Sequence, residues 1–480
     1  MICEGFKYPA LIEHFERISA IPRMSYHEEK IAAYLVEFAE ARGLEVYTDS
    51  AKNVLINIPA TEGREGDAPI LLQGHTDMVC EKNIGCEHDF LNDGLDLYVE
   101  NGVIGAKGTT LGADDGISVA VMLALLDGEI KSHPACQCLF TSAEEVGLDG
   151  AKAFDYSRIF ARRMINMDGA DEIYLIVGCA GGLRSDSAFE VEYVSPKNKD
   201  AVKISIGGLM GGHSGENIND GRANANKLAG ELLGLLYDSV GIELISFNGG
   251  SKDNAIPREA ILSLTVKDAE LAERVVSKYA EKVSATLCDD DNGFFIRFER
   301  EALPEGAIVF ADHITRNIIK FVNSVENGVL AMSKKIEGLV EFSRNLGIVR
   351  TENRKIIFYF SSRSAIDEQI ELSARTIESA AQACGGVTTH HSRYPGWHYT
   401  GDSPLADRYI ESAKRLCGMN VVKTALHAGL ECGIVKQAIP DMEIISCGPD
   451  IKNLHSPMET LNIASFERFF TVIKYIIENE

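Results

Sequence analysis

The 480-residue chain carries 71 Asp and Glu against 47 Lys and Arg, a formal net charge of −24. That balance argues against nucleic acid and anionic membrane surfaces as partners, because both are met with basic patches. A length beyond that of one hydrophobic core, with 45% hydrophobic and 25% charged residues, predicts a globular protein of two domains.

The N-terminal stretch MICEGFKYPALIEHFERIS has no basic start followed by an apolar run, and no apolar segment reaches the ~20 residues of a bilayer crossing. Eleven scattered cysteines, most inside apolar runs, read as reduced buried thiols rather than a disulfide framework, so a cytoplasmic protein is expected. Ser25 and Glu28 have capping-box spacing and predict a helix through YHEEKIAAYLVEFAEAR, stopped at Gly43. Short strands follow at Glu45–Thr48, Val54–Ile58 and Ile70–Gln73, then a helix over Gly116–Leu126, a buried strand CQCLFTS and a strand RMINMD. This alternation predicts an α/β sheet with a largely parallel core, whose catalytic residues gather beyond the carboxyl ends of the strands.

From residue 183 the texture changes. A helix GRANANKLAGELLGLLYD, strands ELISFNGG and AILSLTV, the helix AELAERVVSKYAEKVSATL and the strand FFIRFER are followed by a loose repeat of the same pattern, as of two related halves. That repeat takes in a helix near Ile314–Val325, strands LVEFSRNLGIV and KIIFYFSSR, and a helix through Glu371–Cys384. After TGDSP the α/β texture returns with VVKTALH, a helix GLECGIVKQA, the strand MEIISC and a last helix from Ile463. The predicted fold is therefore an α/β catalytic domain of residues 1–182 and 398–480, with a mixed, largely parallel sheet flanked by helices, interrupted by an α+β domain of residues 183–397.

Five metal-ligating residue types stand in short turn-bounded motifs: His75 in GHTD, Asp114 in GADDG, Glu145 in SAEEVG, Asp168 in NMDG and His455 in LHSP. Imidazole and carboxylate together suit borderline cations such as zinc. Singly, each has an ordinary explanation: a polar turn at a strand end, a helix cap, an acidic loop. As a set they point to hydrolysis by metal-activated water. His75 and Asp77 are two apart and share a side, so Asp77 can orient the imidazole. Either Asp114 or Asp115 can supply the carboxylate that two cations ~3.5–4 Å apart must share. Glu144 and Glu145, adjacent in an extended segment, would point to opposite sides, one to metal and one to water. In the central region His213 lies between glycines in GGHSG, and Asn254 and Arg363 lie near strand ends, where an arginine can take a carboxylate bidentately. GGLMGGHSG lacks a following GK[ST], which argues against a phosphate loop.

GHTDMV, GADDG, TSAEEVGLDGA, NMDG and LHSPMET together resemble the signatures of the di-zinc aminoacylase–carboxypeptidase–dipeptidase superfamily, over essentially the whole chain. GGHSG, NAIPRE, HAGLECG and the late LHSP are most similar to its aminoacyl-histidine dipeptidase branch. The resemblance implies two divalent ions, zinc first and cobalt or manganese next, with His75 and Asp168 on one, Glu145 and His455 on the other, and Asp114 bridging. It implies Glu144 as general base, Asp77 as orienter of His75, and a cis peptide after the bridging aspartate. The inserted domain becomes a lid and dimerisation domain that supplies His213 to the oxyanion, from its own or a neighbouring subunit. Asn254, Arg363 and Gly429 would touch a small peptide substrate, Arg363 at its terminal carboxylate. His427 stands where many superfamily members have glycine. The expected enzyme is a dipeptidase for Xaa-His peptides, β-alanyl-histidine included. A carboxypeptidase, a tripeptidase and an N-acyl-amino-acid deacylase share its chemistry. A catalytically silent peptide-binding protein and a metallophosphatase fit the intact ligand set and the scattered arginines less well.

Overall fold

The computed structural model describes residues 6–479. Two compact units divide the chain: one runs up to Gly178 and includes Trp397–Ala425 and the chain from Leu430 onward, and the other comprises Cys179–Gly396 and Leu426–Gly429. The short segment Leu426–Gly429, with His427 in it, goes with the second unit.

The first unit is built on an eight-stranded sheet in the order Glu45–Thr48, Val54–Ile58, Cys136–Thr141, Ile70–His75, Arg163–Asn166, Glu443–Ser446, Tyr174–Cys179, Val422–Leu426. Its centre is parallel: Ile70–His75 runs alongside both Cys136–Thr141 and Arg163–Asn166, and Glu443–Ser446 extends the set. All six residues of ILLQGH and of CQCLFT are buried, the near-continuous burial expected of parallel strands covered on both faces. The helix Ala113–Leu126 is apolar around nearly its whole circumference and almost entirely buried, so it belongs to the core rather than the surface. These features match the mixed α/β class read from the sequence. A second, four-stranded sheet pairs the hairpin Ile451–Lys452/Thr460–Asn462 with Val103–Ala106 and Leu97–Glu100. That sheet brings the chain around residue 455 back to the chain leading into residue 114.

Two local expectations fail for physical reasons. The helix expected from Ser25 begins only at Glu29 and has no side-chain cap, because both capping-box residues are engaged elsewhere. The Ser25 hydroxyl donates to Asp77 (2.8 Å), and the buried Glu28 carboxylate accepts from the backbone N–H groups of Tyr26 and Ala143 (2.9 and 3.0 Å). The helix Pro404–Cys417 was not anticipated. TGDSP read as a boundary, whereas Ser403 caps the N–H of Ala406, Pro404 opens the first turn and Gly418 closes the last at φ 70°.

The second unit is a sheet with the path Phe295–Glu301, Asp200–Gly207, Ala260–Val266, Ile242–Gly249, Val340–Glu352, Lys355–Ser364, Gly181–Glu190, Val387–Tyr394, with Gly328–Met332 added beside Val340–Glu352. Neighbours on this path are antiparallel. The path contains one arrangement twice. Asp200–Gly207, helix Ala225–Ser239, Ile242–Gly249, Ala260–Val266, helix Ala269–Ser284 and Phe295–Glu301 form a βαββαβ unit with spatial strand order fourth, first, third, second. Gly181–Glu190, helix Asp312–Ser324, Val340–Glu352, Lys355–Ser364, helix Asp367–Gln382 and Val387–Tyr394 form another with the same order. The halves meet through their second strands, Gly249 opposite Val349. One apolar core runs beneath both, joined by aromatic contacts such as Phe321–Phe358 and Phe247–Phe358, with ring centroids 5.1 and 6.1 Å apart.

Candidate metal centre

Three of the central parallel strands each deliver acids or imidazoles at or just past their carboxyl ends: His75 at the end of Ile70–His75 and Asp77 after it, Glu144 and Glu145 after Cys136–Thr141, Asp168 after Arg163–Asn166. Asp114 sits at the irregular start of the helix Ala113–Leu126, where the Asp114–Asp115 peptide is cis. His455 comes from the loop of the late hairpin, at φ 59°.

The side chains converge in a definite pattern. Asp114 Oδ1 lies 3.0 Å from His75 Nε2, and its Oδ2 lies 3.2 Å from His455 Nε2. His75 Nε2 is also 3.8 Å from Asp168 Oδ1, and His455 Nε2 is 3.3 Å from Glu145 Oε1. One carboxylate thus faces two separate donor pairs, one oxygen to each. Ligand atoms around a tetrahedral ion with ~2.0 Å bonds sit about 3.3 Å apart, so these spacings suit two such ions. Proximity alone also groups Asp115 with His75 and Asp168. Asp115 Oδ2, however, already accepts the His75 backbone N–H (3.1 Å), while both oxygens of Asp114 face imidazoles. Asp114 is therefore the carboxylate with one oxygen toward each imidazole.

Asp77 does more than orient an imidazole. His75 Nδ1 donates to the Asp77 carbonyl (3.1 Å) with Asp77 Oδ1 at 3.4 Å, which leaves Nε2 for a metal. The two Asp77 oxygens also accept the backbone N–H groups of Glu144 (3.0 Å) and Glu145 (3.3 Å). Glu144 and Glu145 are not in an extended segment as expected. Ala143 takes a left-handed φ of 47° and turns the chain, and Asp77 with Glu28 fixes the result. Left-handed conformations at non-glycine residues are uncommon and gather at working sites.

The electrostatics call for cations. Burial pushes the Glu144 carboxyl well above the ordinary range; His75 opposes this, and Glu431, Glu145 and Asp114 add to it. Burial raises Asp168 in the same way, with Asp114, Asp115 and Glu144 reinforcing it against His75. For His75 burial acts downward, but hydrogen bonds to Asp114 and Asp77 and the charge on Glu144 carry it well upward. Clustered buried acids of this kind are costly without a positive partner, and divalent ions are the partner their donor set fits.

The second unit holds the other predicted residues, and it brings them together among themselves. Gly212–His213 pairs with Ala255–Ile256, and Ser214 N–H donates to the Asn254 carbonyl (2.9 Å), so GGHSG and NAIPRE are neighbours. His213 Nδ1 accepts the Glu216 N–H (3.3 Å). Arg363 Nη2 stands 3.4 Å from that Nε2, its Nη1 donates to the Tyr394 hydroxyl (2.9 Å), and its buried Nε has no partner. Gly429 lies against Tyr394, and a Cβ added to it would sit 2.8 Å from the ring. His427 is satisfied internally: Nε2 meets Ser343 Oγ at 2.6 Å and the ring has a backbone hydrogen bond at Val340. Burial first, then Arg363 and His213, push its pKa down to about 3. It is a neutral packing residue.

Sequence reasoning missed several residues that hold the ligands in place. Glu431 is fully buried, accepts from Gln73 Nε2 (2.5 Å) and Thr141 Oγ1 (2.7 Å), and Gln73 Oε1 accepts from Asn166 (2.7 Å), so one network ties the three ligand-bearing strands together. A glutamate inside HAGLECG gave no local sign of this. Ser25 and Glu28 carried a signal, but it pointed to a helix cap.

The chain is 34% identical to the cytosol non-specific dipeptidase of Escherichia coli (strain K12) over 467 residues, 97% of this chain and 96% of that protein. The structure of an aminoacylhistidine dipeptidase from Vibrio alginolyticus superposes with a TM-score of 0.93 at 34% identity, covering 99% of this chain and 97% of that one. The aminopeptidase PepT from Bacillus cereus ATCC 10987 shares the fold, with a TM-score of 0.56 at 15% identity over 98% of this chain and 97% of that one. The sequence model of peptidase family M20/M25/M40 matches residues 71–479, a span that takes in every ligand candidate, and the chain belongs to that family.

Proposed function

We propose that the chain is a cytosolic dipeptidase that holds two divalent ions and hydrolyses dipeptides with a free terminal carboxylate, Xaa-His peptides such as β-alanyl-histidine among them. The observation that carries this reading is Asp114, whose two oxygens face two separate imidazole–carboxylate pairs. His75 and Asp168 would hold one ion, Glu145 and His455 the other, and Asp114 both. Zinc fits this donor set best, and cobalt or manganese can replace it. When bound, the ions supply a water of lowered pKa and polarise the scissile carbonyl.

The chain's own residues do the rest. Glu144 takes the proton of that water and hands it to the leaving amine. Asp77 keeps the His75 ring and the 144–145 backbone in register. His213 would help hold the developing oxyanion. Arg363, steadied by Tyr394 and with Nε unpartnered, receives the terminal carboxylate, with Asn254 and Gly429 beside the substrate.

Both relatives at 34% identity are named as dipeptidases, one of them non-specific and one for aminoacyl-histidine. The deciding test is turnover by metal-loaded protein on Xaa-His peptides, other dipeptides, tripeptides and N-acyl amino acids. Dipeptides should be cleaved fastest; preference for N-acyl amino acids or tripeptides would overturn the proposal. Arg363→Ala should raise KM for dipeptides by roughly 10–100-fold, as expected on losing a charge-assisted bidentate contact, and should leave an amidated dipeptide almost unaffected. An equal loss on both substrates would remove Arg363 from carboxylate binding.

A further inference from the structure

The loop that carries Asp114 is held by two charged residues, Arg23 and Glu459, that are not among the proposed ligands. Glu459 lies in LHSPMET, four positions after His455, and is buried. Its Oε2 accepts the backbone N–H groups of Leu111 (2.9 Å) and Gly112 (3.0 Å), and its Oε1 accepts those of Ala113 (2.8 Å) and Asp114 (3.4 Å). Four consecutive N–H groups thus close on one carboxylate, an anion nest of the kind that elsewhere binds phosphate, filled here by the protein itself.

Arg23 takes the opposite polarity of the same segment. Only 2% exposed, it donates through Nη2 to the Gly112 carbonyl (2.5 Å) and through Nη1 to the carbonyls of Thr76 (3.1 Å) and Asp77 (3.3 Å). Gly112 is left-handed (φ 65°), and a Cβ there would lie 2.5 Å from Arg23 Nη2 and 2.8 Å from Met78 Sδ. Only a residue without a side chain lets the guanidinium come so close.

These contacts join three parts of the site that are far apart in sequence. Glu459 fixes the His455 hairpin to the Asp114 loop, and Arg23 fixes that loop to the end of the strand bearing His75 and Asp77. We infer that Arg23 and Glu459 are a pair of positioning residues that set the Asp114 carboxylate between its two imidazoles before any ion arrives. Neither touches substrate. The inference rests on the two-ion reading of the site.

The chemistry of substitution makes it testable. Glu459→Gln keeps the shape but turns an NH2 group toward N–H groups, so half of the nest loses its acceptor. Arg23→Lys keeps the charge but cannot reach three carbonyls with one ammonium. Metal-free wild type and both variants would be titrated with Zn2+ or Mn2+ well below their melting temperatures, with circular dichroism as the check on folding. The wild type should bind two ions per chain, and each variant should bind them about 10–100-fold more weakly, the usual loss when an outer support of a metal site is removed. KM measured at saturating metal should stay within about twofold, which separates positioning from a general loosening of the fold. Wild-type affinity in the folded variants would overturn the inference. Should Glu459→Gln not fold, Arg23→Lys alone decides it on the same readout. A wild type that binds fewer than two ions would instead count against the two-ion reading.

Discussion

Replacing Glu144 with Gln is expected to lower kcat by about 10²–10⁴ while both ions stay bound, the range over which a positioned general base contributes. The substitution is nearly isosteric. Glu144 is held by its own backbone N–H, donated to Asp77, and that bond does not depend on the side chain. The five proposed ligands keep their geometry, because none uses the Glu144 carboxylate as a hydrogen-bond partner. What disappears is an acceptor for the proton of the nucleophilic water. Steady-state kinetics together with elemental analysis checks both halves: near-normal kcat would remove Glu144 from the mechanism, and lost metal would make it a ligand instead.

Asp114→Ala should have a still broader effect, removing bound metal and activity together. Two cations ~3.5–4 Å apart repel unless a shared anion lies between them, and Asp114 is the one carboxylate with an oxygen toward each imidazole. The variant should bind at most one ion per chain and show no measurable turnover. Its thermal behaviour gives a second readout. Ions that bind only the folded wild type stabilise it by mass action, about 2.7 kcal/mol at a free concentration a hundred times Kd. A chelator should therefore lower the wild-type Tm by several degrees and that of Asp114→Ala by clearly less. Two ions retained in the variant would pass the bridging role to Asp115, the neighbour that also lies near His75 and Asp168.

How much of this could be read in the sequence depended on whether the partners were local. His75, Glu144, Glu145 and Asp168 announced themselves because each follows a strand, and strand ends in a parallel sheet share one edge. The fold class followed from the same alternation. Ser25 and Glu28 misled because capping is inferred from a four-residue window, whereas their partners are Asp77 and Ala143. Glu459 and Glu431 were silent for a related reason. A buried acid is stabilised by whatever backbone or side chain closes around it, here Leu111–Asp114 and Thr141 with Gln73, each hundreds of residues away. The repeat in the second unit showed as texture, but its strand order needed the pairing, since the first half is threaded in after Gly181–Glu190, the opening strand of the second.

The joining of those halves through Ile242–Gly249 and Val340–Glu352 has a consequence for assembly. A sheet edge that a subunit could offer to its copy has been spent inside one polypeptide, so this association is unimolecular and dilution cannot reverse it. The strands left at the two ends are Phe295–Glu301, with Arg297, Glu299, Arg300 and Glu301, and Val387–Tyr394, with His390, His391 and Arg393. Charged, exposed edges of this kind resist strand addition. The exception is Gly328–Met332 beside Val340–Glu352, which carries no charged residue; any protomer would in any case arrive already carrying a twofold-like pairing of its own.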